Sequence, residues 1–139
     1  MDILSFSTIA ENIKKEISHR CGLNLSQTRI LLYFQQNNNT ALKMGDLATY
    51  LKISLSTLSR QLQQKKTMEL VTITRSETDS SKTVALNQAG LKKVAELKKT
   101  LTEIEKTLFA SSTDQEVTEF NRIFNILLNK TASQNHFKQ

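Results

Sequence analysis

A mainly α fold with one small β-hairpin is what this sequence predicts, and three observations predict it. The 139 residues include no proline and only three glycines (Gly22, Gly45 and Gly90), too few breakers for a chain built on tight turns. Long stretches repeat apolar residues at three- and four-residue intervals, the spacing of one helix face. Only around residues 71–86 does the pattern switch to a period of two. The length suits a single domain that buries a core of its own.

The first helix is expected from Asp2 to His19, where Phe6, Ile9, Ile13 and Ile17 form one stripe, with Gly22 as its stop. Ser26 is expected to cap a second helix running to Gln36; Ile30, Leu31 and Phe34 face the core and Leu25 acts as a staple. Asn37, Asn38 and Asn39 form a turn, Leu42 and Met44 flank a short strand, and Asp46 starts a third helix with Leu47, Ala48 and Leu51 inward. Ser54 then caps a fourth helix, Leu55 to about Met68, whose apolar line is narrow: Leu55, Leu58 and Leu62. Val71 and Ile73, then Val84 and Leu86, alternate with polar or small residues on either side of the loop Ser76 to Lys82, which makes a hairpin.

Asn87 is expected to cap a fifth helix in which Val94, Leu97, Leu101, Ile104 and Leu108 repeat with a seven-residue period. A sixth, Asp114 to Lys130, carries Val117, Phe120, Ile123, Phe124, Leu127 and Leu128. Two such seams are more apolar surface than one small domain covers, so a homodimer built from the two ends of the chain is expected. Residues 1–22 and 87–132 are then dimerisation helices, 23–86 a separate lobe, and 133–139 a frayed tail within one domain, 1–139.

Nineteen Lys and Arg stand against thirteen Asp and Glu, a net charge of +6, and the surplus is local. Between Leu47 and Ser76 the cations are Lys52, Arg60, Lys65, Lys66 and Arg75, with Glu69 the only acid. Burying Leu58 and Leu62 turns Ser56, Thr57, Arg60, Gln61 and Gln64 outward, and hydroxyls, amides and a guanidinium are the groups that bond base edges and phosphates. The order of helices followed by a hairpin is that of a winged helix-turn-helix with N- and C-terminal dimerisation helices, and it predicts a double-stranded DNA partner.

Four segments resemble the MarR family of bacterial transcription regulators: LNLSQTRILLYF (Leu23 to Phe34), MGDLATYLKISLSTLSRQLQQ (Met44 to Gln64), LVTITR (Leu70 to Arg75) and VALNQAG (Val84 to Gly90). The resemblance implies an obligate dimer joined by the first, fifth and sixth helices, with the fourth helix in the major groove and the wing at the minor groove. It implies DNA contacts at Ser54, Ser56, Thr57, Arg60 and Gln61, with Lys82 on the wing; Gln64, Lys66 and Arg75 complete the expected set. It also implies a phenolic or anionic effector, for which Arg29, Tyr33 and Lys43 are guesses, and hence a regulator, in the first place a repressor, of a pseudo-palindromic operator. The family's Asp-any-Arg wing triplet is replaced here by Thr78, Asp79 and Ser80, so the minor-groove arginine is missing. Lys65 and Glu69 stand where Leu and Gly are common, so the fourth helix is expected to end differently or run longer.

No Gly-rich phosphate loop, GxSxG elbow, HExxH or paired cysteines occur, and His19 and His136 lie at opposite ends, so neither an enzyme, a cofactor nor a metal site is expected. His19 and Cys21 with Glu11 and Glu16 are too few ligands to converge. Cys21, the single cysteine, fits a reducing compartment, and with no signal or membrane segment the expected location is the cytoplasm. Two alternatives stay open: a winged-helix protein-interaction module, and a redox regulator acting through Cys21 on the same scaffold.

Overall fold

The structure is a computed structural model that describes residues 1–137. Seven helices and three strands follow in the order α1 (Ser5–Cys21), α2 (Leu25–Gln36), β1 (Leu42–Lys43), α3 (Met44–Leu51), α4 (Leu55–Gln63), α5 (Lys65–Met68), β2 (Val71–Arg75), β3 (Lys82–Leu86), α6 (Gln88–Leu108) and α7 (Asp114–Phe137). They fall into two compact units, Met1–Thr102 and Glu103–Gln139.

In the first unit the helix ends follow local chemistry. Helix α1 stops at Gly22, whose left-handed φ of 66° lets its N–H close on the Ser18 carbonyl. The cap of α2 is Asn24 rather than Ser26: its side chain accepts from Gln27 N while the Gln27 side chain accepts from Asn24 N, a reciprocal box that a serine two residues later cannot make. Leu25 follows that cap as the first residue of α2, not the position ahead of it that a staple takes, and is 42% exposed. Asn38 and Asn39 take positive φ, as the expected turn requires, and Asn39 reaches across to Leu86. Lys52 closes α3 in the left-handed region, and Ile53 N–H returns to the Ala48 carbonyl.

The expected long fourth helix is two. Had α4 continued, the inward positions after Leu62 would fall on Lys65 and Lys66, and a buried unpaired ammonium is costly. Instead Gln64 is extended, and α5 restarts the chain so that Thr67, 1% exposed, points inward. Leu55, expected in the apolar line, is 53% exposed, which leaves Leu58 and Leu62 as the two anchors.

The sheet order is β1-β3-β2, all antiparallel, with Leu42 opposite Val84 and Val71 opposite Leu86. Val71, Val84 and Leu86 are buried as expected, but Ile73 is exposed although it lies opposite the buried Val84, because β2 is an edge strand and β3 is flanked on both sides. Asn87 caps α6, accepting from Gly90 N and donating to the Glu69 carbonyl. Gly90 sits where an added Cβ would lie 2.2 Å from the Leu70 carbonyl oxygen, so the α6 start and the wing base pack backbone to backbone. The core collects Ile30, Leu31, Phe34, Leu47, Leu58 and Leu97, each at most 1% exposed.

In the second unit Thr113 and Glu116 form a reciprocal box that starts α7. Phe109 and Phe120 lie 5.3 Å apart, and Phe120 stacks on Phe124 at 5.7 Å. Helix α7 runs past the expected end at Lys130 to Phe137; of the tail expected to fray, residues 138 and 139 lie outside the described residues. Leu108, the last residue of the seven-residue seam, is half exposed.

Candidate nucleic-acid interface

Helix α4 is held from beneath and capped from in front. Leu58 and Leu62 are 0% and 2% exposed, which fixes the opposite side outward. At its start the Ser54 hydroxyl accepts from Thr57 N at 3.1 Å, bonds Thr57 Oγ1 at 2.9 Å and lies 3.1 Å from Ser56 Oγ. Three hydroxyls thus gather at the positive end of a helix dipole, where an anionic oxygen is favoured. One turn on, Arg60 leans back so that Nη2 donates to Thr57 Oγ1 at 3.4 Å. Among the described residues Arg60, Arg75 and Lys82 enter no ion pair, so their charges stay available.

Of the expected contact residues, Ser54, Ser56, Thr57, Arg60 and Gln61 come together on α4, with Thr57 and Gln61 half-buried. Gln64 lies beyond the helix end and its Oε1 accepts from Asn24 Nδ2 at 3.2 Å. Lys66 belongs to α5, and its ammonium donates to the Gly22 carbonyl at the end of α1. Arg75 and Lys82 face each other across the mouth of the hairpin, both exposed. A hollow of about 430 Å³, which Lys43 also lines, joins Lys82 and Ser81 on the wing to Leu55 and Ser59 on α4 and Asp46 on α3.

The wing tip is acidic and locked on itself. Asp79 Oδ1 accepts from Ser81 Oγ at 2.7 Å and Ser81 N at 3.0 Å. The hydroxyl and backbone of Ser81, with Ser76 and more weakly Lys43 Nζ at 4.0 Å, hold the Asp79 carboxyl down at about 2. Sequence reasoning missed this lock, although an Asp followed by two serines is a readable turn signal.

The three residues expected at an effector do not line one hollow. Arg29 lines a largely apolar hollow of about 330 Å³ with Leu25, Ser26, Leu51, Ile53 and Gln61. Lys43 lines the wing hollow, and Tyr33 lines neither, packing instead on Tyr50 at 5.4 Å and Phe34 at 5.5 Å. Partial burial, then Tyr50 and Asp46, push the Tyr33 hydroxyl pKa up. Cys21 is buried, 3% exposed, and its Sγ donates to Thr100 Oγ1 at 3.3 Å, a setting in which a thiol packs as a small hydrophobe. No cluster of three or more His, Cys, Asp or Glu able to hold a metal occurs among the described residues, and no helix there is long and apolar enough to cross a membrane.

A helical pair joined by a tight turn, an outward polar second helix and an adjoining hairpin define a winged helix-turn-helix protein. The model of the MarR family matches residues 22–80, from just before α2 into the wing loop, so the resemblance read from the sequence is supported over that segment. Solved structures extend the likeness in fold to nearly the whole chain. A MarR transcriptional regulator from Methanosarcina mazei is 25% identical with a TM-score of 0.74, covering 93% of this chain and 94% of that one. MepR from S. aureus, solved as a DNA complex, is 19% identical with a TM-score of 0.76, covering 94% and 98%. A MarR mutant from E. coli complexed with operator DNA is 13% identical with a TM-score of 0.70, covering 92% and 99%. No curated protein matches the sequence.

Proposed function

We propose that this chain is a sequence-specific, double-stranded-DNA-binding transcription regulator, a repressor, working as a homodimer on a pseudo-palindromic operator. One observation carries the reading: α4, pinned by Leu58 and Leu62, turns Ser54, Ser56, Thr57, Arg60 and Gln61 to the outside beside an unpaired Arg75 and Lys82. Those donors suit base edges and phosphates, and the likeness in fold to proteins solved with DNA supports the same use. Ser54, Ser56, Thr57, Arg60 and Gln61 read or grip the major groove; Arg75 and Lys82 contact phosphates.

The homodimer rests on apolar faces that each unit leaves uncovered, Phe6 and Ile9 on α1 and Phe120 to Leu128 on α7. A second copy supplies the cover and sets the two α4 helices about one helical turn, ~34 Å, apart. A small apolar anion in the hollow beside Arg29 would disturb Gln61 directly, which supports release by an effector.

A second reading is favoured by the acidic, self-bonded wing: a protein-interaction module whose α4 docks on another protein. Selection from a random duplex library decides between them. Recovery of one palindromic motif, with affinity falling steeply as salt rises, supports the regulator; retention of no motif at low or moderate salt supports the module.

A further inference from the structure

We propose that Lys66 is a positioning residue: with Asn24–Gln64 and Gln27–Thr67 it forms a strut that fixes the outgoing end of α4 to the α1–α2 corner. The segment 22–27 and the segment 64–67 meet three times across forty or more residues of chain. Lys66 Nζ donates to the Gly22 carbonyl, Asn24 Nδ2 donates to Gln64 Oε1 at 3.2 Å, and Gln27 Nε2 donates to Thr67 Oγ1 at 3.2 Å in a buried setting. Gln27 and Thr67 are 4% and 1% exposed, so this last bond has no water to replace it.

The choice of a lysine has a physical reason. The last carbonyls of α1 carry the negative end of its dipole, and a left-handed Gly22 turns its own carbonyl out of the helix. An ammonium from α5 neutralises that end on one side while Lys93 Nζ of α6 donates to the Cys21 carbonyl at 3.2 Å on the other. The end of α1 is therefore clamped between the element that follows α4 and the element that follows the wing. Leu58, Leu62 and the Ser54 cap hold the body and the start of α4, and the clamp adds a fixed point beyond its outgoing end.

For recognition the inference rests on the reading of α4 as the DNA reader, and it assigns Lys66 a role other than phosphate contact. A phosphate ligand and a strut differ in what their loss does. Removing a phosphate contact lowers affinity for every sequence alike and reduces the log–log salt slope by about 0.9. Removing a strut leaves the slope unchanged and costs affinity mainly on the selected sequence, where geometry matters.

The test compares wild type, Lys66→Met, Lys66→Arg and Gln64→Ala, the last a surface change that loosens the same joint if Lys66→Met does not fold. Amide hydrogen exchange is measured on the unliganded protein, and binding is measured on a selected and a random-sequence duplex across a salt series. The expected result is a rise of about tenfold in exchange over 58–63 relative to 28–34 in Lys66→Met, less in Gln64→Ala, and recovery in Lys66→Arg. With it, the ratio of selected to random affinity falls about three- to tenfold at constant salt slope. Unchanged exchange in both Lys66→Met and Gln64→Ala overturns the strut, as does an equal loss on both duplexes with a shallower slope. If no duplex binds at all, the proposed function fails while the exchange result still decides the strut.

Discussion

Helix α4 buries Leu58 and Leu62 and turns hydroxyls, amides and a guanidinium outward, whereas α7 leaves Phe120, Ile123, Phe124, Ile126, Leu127 and Leu128 between 37% and 52% exposed. Both helices are mostly uncovered, so exposure alone does not separate them; the chemistry of what is uncovered does. An apolar face in water is stabilised by any apolar cover, and a second copy of the same chain is always at hand. A polar face gains little from such a cover and is open to a partner that offers hydrogen-bond acceptors and negative charge.

That contrast can be broken at its apolar side first, where the largest effect is expected. Phe124→Asp with Leu127→Asp should convert a dimer into monomers by sedimentation. It should also lower affinity for a selected palindromic duplex by at least ~100-fold, because the second half-site is no longer bound by a linked reader. A dimer that survives both changes removes α7 from the interface. On the polar side, Arg60→Ala should cost ~1 to 3 kcal/mol on the selected duplex and much less on random sequence, by gel-shift titration. Equal losses on the two would make Arg60 a phosphate contact.

Smaller effects sharpen the picture at the wing. Lys82→Ala should weaken all duplexes alike and reduce the salt slope by about 0.9; an unchanged slope would take the wing off the duplex. The wing lock has a pH signature of definite sign. The Asp79 carboxyl lies below its ordinary value because Ser81 bonds its ionised form, so the order it lends the tip is present above the ordinary carboxylate range and is lost as pH falls to about 2. A carbon-detected titration should place Asp79 near 2 rather than ~3.9, and Asp79→Asn should loosen the tip at neutral pH without moving the melting temperature. Titration near the ordinary value would mean that Ser81 does not hold it.

Much of this was legible in the sequence because periodicity carries it. The helix over 88–108, the hairpin and the Ser54 cap follow from spacing and from one side chain each. The outward side of α4 was legible for the same reason, since fixing Leu58 and Leu62 inward turns the opposite side out. What escaped were features set by partners distant in sequence. The Asn24–Gln27 box is the exception, three residues apart and readable as a local signature, but nothing near residue 64 announces that Asn24 will bond it. Lys66 was expected at a phosphate on composition alone, and its bond to Gly22 spans 44 positions. Ile73 and Leu55 obeyed their local periods, but Ile73 lies on the edge strand and Leu55 at the first position of α4, where less of the fold covers them.

The break at Gln64 leaves α4 nine residues long. At ~1.5 Å of rise per residue such a rod is only ~13 Å from end to end. Laid along a duplex that climbs ~3.4 Å with each step, it spans about four base pairs. On the proposed reading, a probe that short collects too little information to single out one address in a chromosome, and the remaining discrimination would come from the distance between two probes and from how readily the intervening duplex bends.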